Sequence, residues 1–334
     1  MRAMKLSTAG ENPVFELFDK PEAELGPNDV RIAVRAASIN TVDTKVPMMP
    51  NLMPSDPAVL GCDVAGTISE TGSAVTGFSV GDAVYGCAGG LIGHDGAYTE
   101  SMVADARLLA AKPAGLSFLE VAALPLVSIT AWEGLVDRAQ VKPGDLVLVH
   151  GGAGGVGHIG IQLAKALGAT VHATVSTDDK AAVAEKAGAD KVIRYRDVSV
   201  EDYVREETDG RGYDVVFDTV GGPNIAPSLE AVATNGRVVT IVSLGSTPDL
   251  SPLHLKNASL HVVFMLIPLL THSDYERHAD ILMRIGRLTE TGALRPTLDA
   301  STFGLADVKA AHARLLSGQS LGKVVLNIKD GAEV

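Results

Sequence analysis

Residues 147–168, VLVHGGAGGVGHIGIQLAKALG, lie near the middle of the chain and determine its fold class. The stretch passes from a short apolar segment typical of a β-strand into five glycines within seven residues, and then into a helix-like repeat. The glycines include the pattern Gly152-x-Gly154-x-x-Gly157. Glycine permits a tight turn and a close approach of backbone to ligand, and the N-terminus of a helix offers N–H groups to an anion. Between a strand and a helix, the pattern predicts a dinucleotide site that holds a pyrophosphate; the alternative is a glycine-rich turn that binds nothing.

Strand-like and helix-like segments alternate around this turn. The predicted strands are DLVLVHG, TVHATVS, KVIRY, YDVVFDTV and GRVVTIVSL, and the predicted helices between them are GHIGIQLAKALG, DDKAAVAEKAG, VEDYVREETD and NIAPSLEAVA. Apolar strands that alternate with amphipathic helices indicate an α/β fold with a doubly wound parallel sheet. The preceding segment, FLEVAALPLVSITAWEGLV, is predicted to be helical throughout.

The first third of the chain has a different sequence pattern. Short β-type runs such as DVRIAVRAAS, DVAGTISETG and GDAVYGC are separated by Gly, Pro and Asp, and the chain closes with the strand-like GKVVLNI. This pattern is typical of a small, irregular β-rich unit. We therefore predict an α/β domain over residues 121–259, inserted between two parts of a β-rich domain, 1–120 and 260–334.

Composition narrows the function classes. The chain has 334 residues, of which 46 % are hydrophobic and 20 % charged, as in ordinary globular proteins. A formal charge of −12 without a long basic run argues against nucleic acid or an acidic membrane as partner. Two cysteines give no disulfide framework and fit a reducing compartment. The N-terminus lacks the apolar core of a signal peptide, and the most apolar run, residues 260–270, is too short to span a bilayer. We predict a cytoplasmic protein.

The end of the second predicted strand indicates which dinucleotide is bound. NAD-selective sites usually carry an acid there, which holds the ribose 2′-hydroxyl. Residues 174–180 read TVSTDDK, so the strand end carries Thr and Ser instead of an acid. We predict NADPH, with Ser176, Lys180 and Tyr195 around its 2′-phosphate. The alternative is that Lys180 lies on the exposed face of the next helix, where the two preceding aspartates oppose phosphate binding.

With these features placed, the chain resembles the medium-chain dehydrogenase/reductase superfamily, and most of all its quinone oxidoreductase (zeta-crystallin-like) branch. The motifs that carry the resemblance span nearly the whole chain: AASINTVDTK, VLGCDVAGTISETGSAVTGFSVGDAVYG, ALPLVSITAWEGL, VHGGAGGVGHIGIQLAKALGA, VFDTVGG and SLGKVVLNI. The resemblance implies a GroES-like β-rich catalytic domain with an inserted Rossmann domain. It also implies a homodimer built through residues 257–266, NASLHVVFML, an apolar strand that would form an edge of the Rossmann sheet.

The zinc alcohol dehydrogenases of the same superfamily carry metal ligands that this chain lacks. They have Cys where this chain has Asn40, His-Glu where it has Cys62-Asp63, and a further Cys near Leu126. Catalytic zinc needs three protein ligands, and neither an asparagine nor a leucine supplies a thiolate. We predict no metal, and an activity that chelators leave unchanged.

A site without a metal must polarise the substrate oxygen by hydrogen bonds alone. This suits a small, apolar, conjugated carbonyl compound such as a quinone or an enone, in which added charge spreads onto the oxygen. Residues 47–57, PMMPNLMPSDP, are expected to overhang such a substrate. The sequence therefore predicts an NADPH-dependent quinone or enone reductase. A zinc-type alcohol dehydrogenase and a non-catalytic dinucleotide-binding protein are the alternatives.

The resemblance also implies roles for individual residues. Asn40 is expected to donate to the carbonyl, Asp43 to orient it or relay a proton, Lys45 to be a candidate for the final proton, and Thr130 to lie beside the nicotinamide. The expected cofactor contacts are Gly152, Gly154, Gly155, Val156, Gly157, Ser176, Lys180, Tyr195, Val242, Ser243, Gly245 and Lys323. The alternatives are that Asn40 and Asp43 bond their own backbone in a turn, that Thr130 bonds back to a helix carbonyl, and that Lys323 is solvated.

Overall fold

The computed structural model describes residues 1–329, so residues 330–334 of the predicted 260–334 segment lie outside the described part. The chain divides into two compact units. The first comprises Met1–Leu126, Leu266–Gly292 and residues 296–329, and the second comprises Val127–Met265 with Ala293–Arg295. The second unit is therefore inserted into the first along the chain.

The regular elements alternate in the second unit and are mostly strands in the first. The strands within residues 1–329 are β1 Arg2–Thr8, β2 Val14–Asp19, β3 Asp29–Ser38, β4 Asp63–Thr71, β5 Ala83–Cys87, β6 Ser101–Asp105, β7 Leu109–Ala111, β8 Leu146–His150, β9 Thr170–Val175, β10 Lys191–Arg194, β11 Tyr213–Asp218, β12 Val232–Thr240, β13 Ser259–Val262, β14 Phe303–Gly304 and β15 Val325–Asn327. The α-helices are α1 Thr41–Lys45, α2 Phe118–Ala122, α3 Pro125–Trp132, α4 Gly155–Ala166, α5 Asp178–Lys186, α6 Val200–Thr208, α7 Ile225–Ala231, α8 Ser251–Lys256, α9 Ile267–Thr271, α10 Tyr275–Glu290 and α11 Val308–Leu316. None of the helices within residues 1–329 combines the length and the hydrophobicity that a transmembrane span requires.

The second unit is built on a six-stranded parallel sheet with the order β10-β9-β8-β11-β12-β13. Counted along the chain, this is the order 3-2-1-4-5-6 of a doubly wound dinucleotide-binding sheet, and it confirms the predicted fold class. The central strands are apolar throughout because both of their faces are covered: residues 147–149 and 215–217 are fully buried. The strand order reverses between β8 and β11, where such sheets bind their ligands.

The first unit contains a seven-stranded sheet, in which six strands follow the order β14-β15-β3-β4-β5-β7 and β6 pairs with β3, and a β1-β2 hairpin. In β3 the residues Val30, Ile32 and Val34 are buried while their neighbours are partly or fully exposed, which is the alternation of a sheet with one covered face. Beyond a register shift between Val34 and Ala36, the end of β3 is buried on both sides. Polar side chains that lie there are consequently inside the protein.

The predicted helix over residues 118–136 is interrupted. Helix α2 begins with a capping box, in which Ser117 N donates to Glu120 Oε2 at 2.8 Å, and it ends at Ala122. A new helix, α3, starts at Pro125, since proline has no N–H for the preceding turn and is favoured at the first helical position. The chain then continues in a π-helical segment, Glu133–Arg138.

Candidate functional site

The glycine-rich turn joins β8 to α4, and its glycines serve different purposes. Gly151 has φ +73°, a left-handed conformation that favours glycine. A Cβ on Gly157 would lie 2.1 Å from Gly151 O, and one on Gly152 would lie 2.8 Å from the Cβ of Ala173, so both positions are packed too tightly for a side chain. Gly154 differs, because a Cβ there would meet only Gly151 O, at 3.3 Å. The turn is thus closely packed on its protein side and open at Gly154.

Helix α4 begins directly after this open position. Gly154 is the N-cap residue and provides no side chain to bond the first amides of the helix. The N–H groups of Gly155, Val156 and Gly157 belong to the first turn, which has no intrahelical acceptors. Unbonded amides and the helix dipole together attract an anion. The residues present therefore fit the pyrophosphate of a dinucleotide.

A row of buried polar side chains crosses the sheet at the carboxyl ends of its strands. Thr174, His150, Asp218 and Thr240 are register neighbours on β9, β8, β11 and β12. His150 Nδ1 lies 3.0 Å from Thr174 Oγ1, and burial lowers the pKa of this imidazole to about 4. Within the described residues, His150 Nε2 and Asp218 Oδ2 are buried without a hydrogen-bond partner. Buried orphan atoms at the strand-order reversal mark a place for a polar ligand group or a water.

The residues predicted to surround the 2′-phosphate directly follow β9 and β10 or lie in the first turn of α5. Tyr195 N donates to Val175 O at 3.3 Å, which brings Tyr195 beside the segment that contains Ser176. Lys180 lies in the first turn of α5, where its N–H donates to Thr177 Oγ1 at 3.4 Å. Tyr195 is exposed, and Ser176 and Lys180 are half-buried.

Two further cations lie in this region that the sequence interpretation missed. The guanidinium of Arg196 lies 5.9 Å from the ring centre of Tyr195, and Arg194 pairs with Asp178 on the neighbouring helix. The signal in the sequence is the segment Arg194-Tyr195-Arg196, in which two cations flank the predicted tyrosine. Because Arg194 is engaged by Asp178, that aspartate opposes a bound phosphate less than the sequence suggested.

The remaining predicted cofactor residues of the second unit follow β12. Gly221 and Gly222 approach this segment closely: a Cβ on Gly221 would lie 2.1 Å from Val242 O, and Gly222 N donates to the same oxygen at 3.1 Å. Ser243 O accepts from Ser246 N at 3.2 Å in a turn that contains Gly245, whose φ is +75°.

Thr130, which is predicted to lie beside the nicotinamide, is a buried residue of helix α3.

In the first unit, Asp63 is the centre of a buried polar network. Its Oδ2 accepts from Ser38 Oγ at 2.7 Å and from Asn40 Nδ2 at 2.8 Å, and its Oδ1 accepts from Leu126 N at 2.9 Å. The ammonium of Lys323 lies 3.6 Å from Oδ2. Asp63 is fully buried and Lys323 is 3 % exposed, so the two charges form an ion pair inside the protein. The alternative that Lys323 is solvated is wrong.

The strand order explains how these residues meet. Strand β3 lies between β15 and β4, and Ser38 at its end pairs with Asp63 of β4 and with Val325 of β15. Asn40 and Lys323 lie just beyond the paired ends of β3 and β15. Sequence positions nearly 300 residues apart thereby share one end of the sheet.

Asp43 lies in α1, and its carboxyl group accepts hydrogen bonds from two backbone N–H groups. Its Oδ2 accepts from Asn40 N at 2.7 Å and its Oδ1 accepts from Cys62 N at 3.2 Å. Burial raises the pKa of this carboxyl to about 6, although both hydrogen bonds act in the opposite direction. Asp43 thus bonds backbone, as in the turn interpretation, while the Asn40 side chain bonds Asp63 and Lys323. Lys45 ends α1 and is half-buried.

The raised pKa of Asp43 gives a pH-dependent prediction. The unfolded carboxyl ionises near 3.8 and the folded one near 6, so the folded protein binds the extra proton and stability falls as pH rises through this window. The free energy of unfolding of the parent, minus that of Asp43→Asn, should decrease by about 3 kcal/mol between about pH 4 and pH 7. Denaturant titrations of both proteins across this range measure the difference. A difference that stays flat or increases with pH would contradict the assignment.

The network does not fit a zinc ion. Within residues 1–329, no three His, Cys, Asp or Glu side chains are grouped so that they could hold a metal. At the zinc-ligand positions of the alcohol dehydrogenases this chain presents the amide of Asn40 and the buried thiol of Cys62. The hydrogen bond with Cys87 and burial raise the pKa of that thiol well above its usual range, which disfavours the thiolate that zinc requires. The ammonium of Lys323 already supplies a positive charge there.

Comparison with known proteins gives matches along nearly the whole chain. Residues 26–114 match the family model of the alcohol dehydrogenase GroES-like domain, and residues 187–326 match a model described as zinc-binding dehydrogenase. An alcohol dehydrogenase superfamily protein from Novosphingobium aromaticivorans is 38 % identical in its crystal structure. The match covers 98 % of this chain and 100 % of that one, with a TM-score of 0.93.

Two further matches bear on cofactor and substrate. The Escherichia coli quinone oxidoreductase, solved in complex with NADPH, is 29 % identical over 98 % of this chain and 99 % of its own, with a TM-score of 0.85. The phthioceranic/hydroxyphthioceranic acid synthase of Mycobacterium tuberculosis is 32 % identical over 97 % of this chain. This chain spans only 15 % of the length of that synthase.

Proposed function

Because this chain belongs to the medium-chain dehydrogenase/reductase superfamily, in its zinc-free quinone oxidoreductase branch, we propose that it reduces small, apolar, conjugated carbonyl compounds with NADPH. Oxidoreductase activity with a nicotinamide dinucleotide follows from the family. One observation carries the finer proposal. Where the alcohol dehydrogenases bind zinc, this chain has a hydrogen-bonded network whose cation is Lys323, so the site acts through hydrogen-bond donors.

A conjugated acceptor needs less stabilisation than a simple ketone. The reduced nicotinamide, when bound, supplies a hydride to a carbon conjugated with the carbonyl, and the resulting charge is shared with the oxygen. This chain then has to donate a hydrogen bond to that oxygen and to deliver a proton. We assign the donor role to Asn40, the orienting role to Asp43 and the candidate proton to Lys45, and we place Thr130 beside the nicotinamide.

The deciding experiment is NADPH oxidation with a panel of acceptors. The panel contains a quinone, an enone, an enoyl thioester and a saturated ketone; the thioester is included because an acid synthase is among the relatives. We expect turnover with at least one conjugated acceptor and none with the saturated ketone. Tight NADPH binding without turnover of any acceptor would favour a non-catalytic dinucleotide-binding protein. Activity lost on chelation and restored by zinc would favour the alcohol dehydrogenase alternative.

Preference for NADPH over NADH is part of the proposal. No acid stands at the end of β9; Ser176 and Tyr195 directly follow β9 and β10, and Lys180 lies in the first turn of α5. Arg196, which lies beside Tyr195, is a further candidate donor to the 2′-phosphate. The NADPH complex of the Escherichia coli relative supports this choice.

Lys180→Ala tests this pocket. One partly exposed, charge-assisted contact contributes about 1.5–3 kcal/mol, which corresponds to a roughly 10- to 150-fold preference. We expect the Michaelis constant for NADPH to rise at least several-fold while that for NADH stays nearly unchanged. Arg196→Ala, assayed in parallel, shows whether a side chain that follows β10 also contacts the 2′-phosphate. Equal losses with both cofactors would mean that Lys180 supports its loop and does not contact the phosphate.

We also propose a homodimer through residues 257–266. Strand β13 is the last strand of its sheet in the described chain, and it pairs only with β12 there. Val262 and Phe264 are about half exposed, whereas Val263 between them is buried. An exposed apolar edge strand favours pairing with a second copy across a two-fold axis.

The exposures determine which substitution tests the dimer. Val262→Lys places a charge on the exposed side of β13, and we expect it to give monomers in sedimentation velocity at micromolar concentration while the parent sediments as a dimer. Lys at the buried Val263 would disturb the fold and is unsuitable. A parent that is monomeric, or a Val262→Lys variant that sediments like a dimeric parent, would contradict the proposal.

A cytoplasmic location is proposed on the basis of the cysteines. Cys62 and Cys87 are adjacent, buried and unbridged, which suits a reducing compartment. Fractionation of cells that produce the protein, with activity measured in each fraction, tests this location.

A further inference from the structure

The side-chain amide of Asn40 is held at both of its ends. Nδ2 donates to Asp63 Oδ2 at 2.8 Å, and Oδ1 accepts from the ammonium of Lys323. An asparagine amide has one accepting side and one donating side, and its partners decide which way it points. In the reversed orientation, N–H groups would face an ammonium and an oxygen would face a carboxylate. Both contacts would be repulsive.

Lys323 is itself fixed where it lies. Its ammonium donates to Ile39 O at 3.1 Å and lies 3.6 Å from Asp63 Oδ2. The backbone next to Lys323 is bonded to the same segment, because Ile39 N donates to Val324 O at 2.9 Å. An ammonium has three donors and no acceptor, so it can bond only the oxygen of the Asn40 amide.

We propose that Lys323 is a positioning residue that makes Asn40 a hydrogen-bond donor toward the substrate oxygen. The amide nitrogen carries two protons; Asp63 accepts one, and we assign the other to the carbonyl oxygen on which charge develops. The inference rests on the proposed function and deepens it. Since the oxygen of Asn40 is bonded to Lys323, the amide presents an N–H group to the substrate and stabilises the oxygen on which charge develops.

The test removes the orienting charges while it keeps the fold. Lys323→Met alone leaves the Asp63 carboxyl buried without its cation, so the main variant is Asp63→Asn/Lys323→Met, in which both partners are replaced together. In this variant Asn40 is free to turn its oxygen toward the new amide at position 63. Lys329→Met is the matched control, because Lys329 is exposed near the end of the same strand segment. Asn40→Ala is made in the parent and in the double variant.

We expect the double variant to lower kcat at least tenfold with the best acceptor and to change the dissociation constant of NADPH less than twofold. In the parent, Asn40→Ala should lower kcat by a factor similar to that of the double variant. Added to the double variant, it should lower kcat little further, because the amide donor already points away from the substrate there. Lys329→Met should behave like the parent. Additive losses, or an unchanged kcat in the double variant, would overturn the proposal. A weaker NADPH complex with kcat maintained would also overturn it, in favour of the cofactor contact predicted from the sequence.

A second readout does not depend on turnover. The side-chain amide protons of Asn40 are identified in nitrogen–proton correlation spectra as the pair lost in Asn40→Ala. We expect this pair to shift strongly in Lys323→Met and to stay in place in Lys329→Met. If the parent reduces no acceptor of the panel, the proposed function fails while the spectra still report on the orientation. An Asn40 pair that Lys323→Met leaves unchanged would overturn the positioning role whatever the activity.

Discussion

Asp63→Asn should destabilise the protein by about 3–5 kcal/mol, since it leaves the ammonium of Lys323 buried without its counter-charge. The carboxylate is fully buried and receives hydrogen bonds from Ser38, Asn40 and the backbone of Leu126. An amide at position 63 keeps the shape but turns an accepting atom into a donor. In one orientation that donor would face the Asn40 amide nitrogen and the ammonium, and in the other it would face the N–H of Leu126. Chemical denaturation followed by circular dichroism measures the loss.

Two further variants show whether the unpaired charge is the cause. Asp19→Asn changes an exposed aspartate at the end of β2 in the same unit, and we expect an effect within about 0.5 kcal/mol. Asp63→Asn/Lys323→Met removes both charges and should regain at least half of the loss, because replacing a buried pair as a whole costs far less than breaking it. If Asp63→Asn costs no more than Asp19→Asn, the buried ion pair does not stabilise this unit.

The second unit could be predicted from the sequence because its pattern is local. Apolar runs alternate with amphipathic ones between residues 146 and 240, and each predicted strand there corresponds to an observed one. The doubly wound sheet and the membership of the superfamily are confirmed. The break at Pro125 was missed because the apolar residues on both sides continue a helical pattern. The residue that ends a helix is fixed by a missing N–H group, which periodicity does not reveal.

The polar network of the first unit could be predicted only in part. Asn40 and Asp43 were singled out through the family resemblance, and the structure places both in a buried cluster. Lys323 was predicted as a cofactor contact or a solvated lysine, since nothing in GKVVLNI indicates which strands flank it. Its partner Asp63 is 260 residues away along the chain, and a sheet with antiparallel and register-shifted strands brings them together. Such long-range pairings follow from topology, which local patterns do not specify.

Substitutions in the glycine-rich turn are expected to have the second large effect. Two of its glycines allow the packing of the fold and the binding of the cofactor to be tested separately. Gly157→Ala should lower the free energy of unfolding by about 3 kcal/mol and abolish measurable NADPH binding. Its Cβ would lie 2.1 Å from Gly151 O and 3.0 Å from the Cα of Gly152, and backbone atoms cannot rotate out of the way. The start of α4 would have to shift away from β8.

Gly154→Ala is the matched variant, because the turn is open at this position. Its backbone angles, φ −75° and ψ 173°, suit any residue, and the single contact at 3.3 Å requires only a small adjustment. We therefore expect stability to fall by about 1 kcal/mol or less while the dissociation constant of NADPH rises at least about tenfold, since the new methyl group occupies the side on which a pyrophosphate would approach the amides. Denaturation curves and NADPH fluorescence titrations of both variants measure the two effects. If Gly154→Ala binds NADPH as tightly as the parent, the phosphates do not lie on this turn, and the glycines serve only the packing of α4 against β8.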